Sequence, residues 1–241
     1  DRAEVATFLV ALMGSIYLGA MIVALIVNLN LVFPAFKLIL VDAFNGTAIA
    51  GGTFFGVLIY GVRRGAFSNE AGMGTESLVH GVAKVSNPVK QGLVAMTGPI
   101  FDTLIICTAT ALMILVSGVW ETSSSQGVTL TAEAFSILLG SFGGLILFVC
   151  VICFGLSTIF TYSYYGASCS RFLFGKFGMK FYIYLYILSI FIYSIVPIDI
   201  AINLADGAFA MMAIPTLISA LWLAPKVMQA SKNYFKLIDN N

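Results

Sequence analysis

Six long apolar runs take up most of this chain, and they leave it few folds. They are Val5 to Phe33, Ile49 to Ala83, Leu93 to Gly118, Phe135 to Gly166, Phe181 to Val196 and Gly207 to Ala224. A hydrocarbon core of about 30 Å takes roughly 20 apolar residues as a helix. The runs are continuous where barrel strands alternate, so helices are expected and a barrel is not. Composition agrees, with 60% of residues hydrophobic and 10% charged at a mean hydropathy of +1.00, which excludes an ordinary soluble domain. The chain reads as an all-α integral membrane protein immersed in lipid, with one transmembrane domain over residues 1–241 that ends in a tail, 225–241. Phosphate loops, nucleic-acid motifs and low-complexity tracts do not occur. The opening Asp1-Arg2, without an initiator Met, is what a piece of a longer protein shows.

Orientation follows from the basic residues, because Lys and Arg near span ends collect on the cytoplasmic side. With Asp1 inside, the inner loops hold Arg2, Lys84, Lys90, Arg171, Lys176, Lys180, Lys226, Lys232 and Lys236, and the outer loops hold Lys37. Both ends of the chain are then cytoplasmic, in a multi-pass protein of the plasma membrane. The outer loops, Pro34 to Gly46, Val119 to Ala134 and Ile198 to Asp206, carry acids that include Asp42, Glu121, Glu133, Asp199 and Asp206. Past Pro225, Lys226, Lys232 and Lys236 among Tyr234 and Phe235 read as a short amphipathic piece on the anionic inner leaflet.

Arg63 and Arg64 remain, inside the second run. An unbroken helix from Ile49 to Ala83 would reach roughly 50 Å, well beyond the hydrocarbon. The run Arg63-Arg64-Gly65-Ala66-Phe67-Ser68-Asn69-Glu70-Ala71-Gly72-Met73-Gly74 supplies the interruption. Its glycines weaken a helix, and Ser68 and Asn69 compete for backbone hydrogen bonds. Residues 64–72 are therefore expected to break the helix near mid-membrane, with Ile49 to Val62 on one side and Met73 to Ala83 on the other. Irregular backbone survives there only against protein or a water-filled cavity. One half-helix then offers carbonyls to a cation or ammonium group, and the other offers amides to a carboxylate. A zwitterionic amino acid satisfies both, which makes Phe67, Ser68, Asn69, Glu70, Ala71 and Gly72 the candidate substrate site.

Structural readings stand beside these. Gly61 and Gly65 match a helix-packing face. Arg64 and Glu70 are expected to neutralise each other, since an unpaired charge in the bilayer costs at least ~2.5 kcal/mol. Phe67 is either ordinary apolar surface or a cap on the substrate cavity. Glu76 and His80 share a helix face, as a proton relay or metal pair, or, more simply, with an interhelical hydrogen bond. Asp102 is a functional carboxylate or a packing partner of Arg63 or Arg64. Asp199 and Asp206 are expected to be solvated. Cys107, Cys150, Cys153 and Cys169 lie in or beside apolar runs and behave as small hydrophobes.

The run Arg63 to Gly74, followed by His80-Gly81-Val82-Ala83 and Asn87-Pro88-Val89-Lys90-Gln91-Gly92-Leu93-Val94-Ala95-Met96, resembles the sodium:alanine symporter family. Phe101-Asp102-Thr103-Leu104-Ile105-Ile106-Cys107-Thr108-Ala109-Thr110-Ala111-Leu112 continues the resemblance, which runs along nearly the whole chain. Typical members are about twice as long, so the resemblance implies a C-terminal half whose partner is a missing N-terminal half. It also implies a LeuT-like inverted-repeat fold, of which this chain would hold six helices: the last of repeat one and the five of repeat two. Where the family usually has Ser-Ala-Pro, this chain has Thr75-Glu76-Ser77, which adds a carboxylate.

The resemblance further implies a sodium site made by the Phe154 carbonyl and the Ser157 and Thr158 hydroxyls, with Thr161 on the pocket wall. Oxygen ligands suit a hard cation. Against this stands the habit of membrane Ser and Thr of bonding to their own preceding carbonyls.

The expected function is sodium-coupled symport of a small neutral amino acid, alanine or glycine, by alternating access. Na+ is the coupling ion, with no organic cofactor and no covalent chemistry. The alternatives are an inactive truncated half-transporter and an intramembrane enzyme using Glu70, Asp102 and His80. Against the enzyme stands the lack of a nucleophile paired with a base.

Overall fold

The structure, a computed structural model, describes residues 2–44 and 53–239. The expected start of the second span at Ile49, the end of the first outer loop at Gly46 and the last two residues of the tail lie outside the described residues. All regular structure described is helical. The elements are α1 (Arg2–Val27), α2 (Leu29–Ala43), α3 (Thr53–Asn69), α4 (Thr75–His80), α5 (Pro88–Ala95), a π-helical segment (Ile100–Cys107), α6 (Thr108–Ser117), α7 (Val119–Thr122), α8 (Val128–Leu139), α9 (Ser141–Tyr193) and α10 (Ile198–Asp239).

Among the described residues, four stretches are long and apolar enough to cross a bilayer: Phe8–Val27, Pro88–Ser117, Ser141–Tyr193 and Ile198–Ile238. They make this a multi-pass membrane protein. Several element bounds differ from the sequence expectation. The first run divides at Asn28, whose amide donates to the Ala24 carbonyl at 2.9 Å, and α2 carries the chain on through Pro34 and Lys37 to Ala43, where an outer loop was expected. The third run starts earlier, at Pro88, because Asn87 caps it by accepting from the Val89 N–H at 2.9 Å; Pro at the first helical position completes that start. It ends at Gly118, whose φ of 70° closes α6 in the left-handed region.

The fourth run is two helices. Phe135 belongs to α8, Gly140 intervenes, and α9 starts at Ser141. The inner loop expected after Gly166 is replaced by helix, interrupted only at Gly175 (φ 68°, ψ −156°). The chain folds back there: the Ser170 hydroxyl donates to the Gly178 carbonyl at 3.1 Å, and Gly166 leaves room only for the Tyr182 ring. A straight helix would hold positions 166 and 182 about 24 Å apart. The sixth run is longer than expected, because α10 takes in the outer loop before Gly207 and the tail past Pro225.

The chain falls into two compact units, Asp1–Leu58 with Ile105–Ile183, and Ile59–Leu104 with Tyr184–Asn241. The first is centred on the fully buried Met21, Met113 and Phe135, with Ala20, Ala24 and Leu147 around them. Tyr17 stacks on Phe135 at 5.4 Å between centroids and shares a hydrogen bond of 2.9 Å with the Thr110 hydroxyl. The second unit contains the interrupted helix.

Candidate functional site

Helix α3 is regular through Arg64 to Asn69, so the interruption begins later than 64 and runs from Glu70 to Gly74. Local chemistry stops the helix there. The Asn69 side chain accepts from the Ala71 N–H at 3.0 Å, an alternative to the helical ladder. Glu70 then takes φ 55°, a left-handed conformation that costs a residue with a Cβ on the order of 1–3 kcal/mol. Gly72 (φ 82°) and Gly74 (φ 94°) complete the turn. Helix resumes as α4, which is shorter than the expected Met73 to Ala83.

Two neighbours in the same unit hold this turn. On one side is the π segment, where the Ser68 hydroxyl donates to Asp102 Oδ2 at 2.7 Å, the Thr103 hydroxyl to the same oxygen at 3.3 Å, and the Asn69 amide to Thr103 Oγ1 at 3.0 Å. π segments pack an extra residue into a turn and recur at functional sites. On the other side is α10. Arg64 donates to Asp206 Oδ2, and Arg63 approaches the same oxygen at 3.9 Å. The Phe67 ring meets Phe209 edge to face at 5.1 Å. Further along, a Cβ on Gly74 would sit 2.8 Å from Thr216 Oγ1. The Arg64 guanidinium also faces the Tyr60 and Phe67 rings, 5.3 and 5.6 Å from their centroids, which adds attraction between cation and ring quadrupole.

Two expectations change here. The ion pair of Arg64 is with Asp206, where Glu70 or Asp102 was expected, and Asp206 is accordingly not solvated, its side chain being 12% exposed. Asp102 instead accepts from Ser68 and Thr103. The Arg64 Nε, the Asp206 Oδ1 and the buried Thr75 hydroxyl have no hydrogen-bond partner, so polar capacity remains around the turn. Asp206, Thr103, Phe209 and Thr216 were missed as site neighbours; the first lies 142 positions from Arg64, and no local pattern links the two.

The candidate substrate residues Phe67, Ser68, Asn69, Glu70, Ala71 and Gly72 are thus contiguous in the second unit. Phe154, Ser157, Thr158 and Thr161 lie on α9 in the first. There the buried Ser157 hydroxyl donates to the Phe154 carbonyl at 2.8 Å and the Thr161 hydroxyl to the Ser157 carbonyl at 2.8 Å. Two of the expected ligand oxygens are therefore neighbours, in the back-bonded arrangement usual for membrane Ser and Thr.

The profile of the sodium:alanine symporter family matches residues 2–241. The chain belongs to the sodium:alanine symporter family. Among curated members, it is 34% identical over 235 residues to the sodium/alanine symporter AgcS of Methanococcus maripaludis, covering 96% of this chain and 52% of AgcS. It is 35% identical over 239 residues to the uncharacterized transporter YflA of Bacillus subtilis, covering 96% and 50%. With the probable sodium/glutamine symporter GlnT of Bacillus subtilis it shares 33% over 233 residues, covering 96% and 49%. This member of the family therefore spans about half the length of the curated relatives it matches.

Proposed function

We propose that this chain forms part of a secondary transporter that moves a small neutral amino acid together with sodium by alternating access. The observation that carries the reading is the interruption from Glu70 to Gly74, held between Asp102 and Thr103 on one side and Asp206 to Thr216 on the other, in a chain of this family. A zwitterion needs one region for its ammonium group and another for its carboxylate. Here α3 ends in carbonyls and side-chain oxygens, and the glycine turn offers backbone amides. Phe67, braced by Phe209, supplies the apolar wall for the substrate's side chain.

In the same proposal the six runs form the last helix of one LeuT-like repeat and the whole of the next, as one transmembrane domain with both ends and the 225–241 tail cytoplasmic. Sodium is held by the Phe154 carbonyl with Ser157 and Thr158. It acts only through its different affinity for the two access states, which sets how far it can shift them. The Ser157 hydroxyl keeps its lone pairs for an ion while its O–H donates to the Phe154 carbonyl.

Purified protein in proteoliposomes is expected to take up labelled alanine when sodium is high outside, with unlabelled glycine, serine and glutamine as competitors to rank substrates. Sodium-independent uptake would overturn the coupling, and absence of uptake would favour the inactive half-transporter. Ser157→Ala with Thr158→Ala is expected to raise the sodium concentration for half-maximal uptake by about ten-fold, the effect of about 1.4 kcal/mol of lost ion binding. An unchanged sodium requirement removes both residues from the site.

A further inference from the structure

Asp102 lies at the middle of the thirty-residue apolar stretch Pro88–Ser117. The other charge of that stretch, Lys90, is twelve positions away, about 18 Å along a helix. A carboxylate at that depth is costly unless something offsets its charge, and carboxylates inside spans mark ion pathways more often than chance. The arginines of the second run do not offset it, because Arg63 and Arg64 both turn to Asp206. Among the described residues, the polar partners of Asp102 are two hydroxyls that donate to the same oxygen, Ser68 at 2.7 Å and Thr103 at 3.3 Å from Oδ2. Two neutral donors spread the negative charge and leave it uncancelled. The Asn69 side chain fixes the wiring: its Oδ1 accepts from the Ala71 N–H, so its amide nitrogen faces Thr103 Oγ1, at 3.0 Å.

We propose that Asp102, Ser68 and Thr103 form a binding site for one sodium ion, distinct from the one at Phe154, Ser157 and Thr158. Hard cations take oxygens at about 2.3–2.6 Å, which puts neighbouring oxygens of an octahedral shell about 3.3–3.7 Å apart. The edge from Thr103 to Asp102 already has that length, and the edge from Ser68 has to open by roughly 0.6 Å. Ser68 stands in the last turn of α3, beside the interruption, where a small rotation suffices. Each hydroxyl then turns its proton away from Oδ2 and points a lone pair at the ion, and no covalent bond forms or breaks. One carboxylate selects a monovalent ion, because the pair is neutral, whereas a divalent cation leaves net charge in apolar surroundings. The bound ion joins the end of α3 to the π segment and steadies the turn between them.

The site does not rest on the symport reading, because ion binding is read without amino acid and without a gradient. The measurement is equilibrium binding of ²²Na+ to the purified protein carrying Ser157→Ala and Thr158→Ala, with potassium and calcium as competitors. This background is expected to keep saturable sodium binding that calcium does not displace. Adding Asp102→Asn is expected to weaken it at least about ten-fold, or about 1.4 kcal/mol. Thr103→Val is expected to weaken it at least about three-fold, and Thr103→Ser, which returns the hydroxyl, to restore it. Melting temperatures in sodium and in equal choline give a second readout: sodium should raise the value in the background and not with Asp102→Asn. Should Asp102→Asn fail to fold in choline, the contrast between Thr103→Val and Thr103→Ser decides. Loss of sodium binding in the background, or an affinity indifferent to Asp102→Asn or to Thr103→Val, overturns the site and leaves the symport reading standing. Sodium binding that needs Asp102, together with sodium-independent uptake, overturns the symport reading alone.

Discussion

Asp206 carries the load that the sequence assigns to Glu70 or Asp102. Its Oδ2 takes up Arg64, and its side chain is largely enclosed. Removing one partner of an enclosed pair strands the other charge, at a cost of roughly 3–5 kcal/mol. Asp206→Asn is therefore expected to lower thermal stability in detergent strongly and Arg64→Gln less, because Arg63 stays 3.9 Å from the Asp206 carboxylate, with the double variant losing less than the sum. A fully additive cycle would show that the pair is not coupled. Glu133 makes a milder case. Hydrogen bonds from Ser125, at 2.6 Å, and from Ser123 hold its carboxyl below the ordinary 4.5. Its contribution is thus complete above the unfolded-state value and lost as pH falls through the folded one. The melting temperature of the parent should drop more between pH 6 and pH 3.5 than that of Glu133→Gln; equal drops would mean that those bonds do not matter to folding. The neighbours of the turn were hidden at this scale because ion pairs and aromatic contacts across such sequence distances leave no periodic trace, whereas the helix start at Asn87-Pro88, expected only at Leu93, rests on local chemistry that apolar runs do not reveal.

At the scale of elements, the interruption was legible and its position was not. Arg63 to Gly74 contains enough glycine and Asn to end a helix, but Gly65 sits inside α3, where an i to i+4 ladder tolerates it at about 1 kcal/mol. The actual stop falls where the Asn69 side chain captures Ala71 and Glu70 turns left-handed. Gly74 then has two demands on it: φ 94°, and contact with Thr216. Gly74→Ala should reduce uptake at least ten-fold, or about 1.4 kcal/mol in the working conformation. Adding Thr216→Ala should recover only part, since it removes the collision and leaves the backbone strain. Full recovery would mean that the left-handed angle is not required. The reversal at Gly175 shows why the inner loop was misjudged: a loop is expected from polar residues, and here one glycine suffices.

For the molecule as a whole, hydropathy and the placement of Lys and Arg predict a fixed orientation, and it can be checked directly. In a background lacking the four native cysteines, a cysteine at Lys37 should react with an impermeant maleimide added to intact cells, and one at Lys180 or Lys232 only after lysis. The opposite pattern would invert the topology. Membrane class and family were legible because each is written along the entire length, in apolar runs and in the stretches around Arg63–Gly74 and Asn87–Met96. Exact span ends were not, because apolar composition continues through Lys37, Gly166 and Pro225, and folding decides where helix gives way.

The π segment at Ile100–Cys107 gives the protein something a plain helix lacks: slack. Each widened turn stores residue that an ordinary turn would pass onward, and rewinding it would swivel everything upstream about the axis with hardly any travel. Asp102 and Thr103 would then swing away from Ser68 and Asn69, undoing two hydrogen bonds in one rotation. In the proposed transporter, the hold on the turn is released by twisting a rod, without sliding one helix past another.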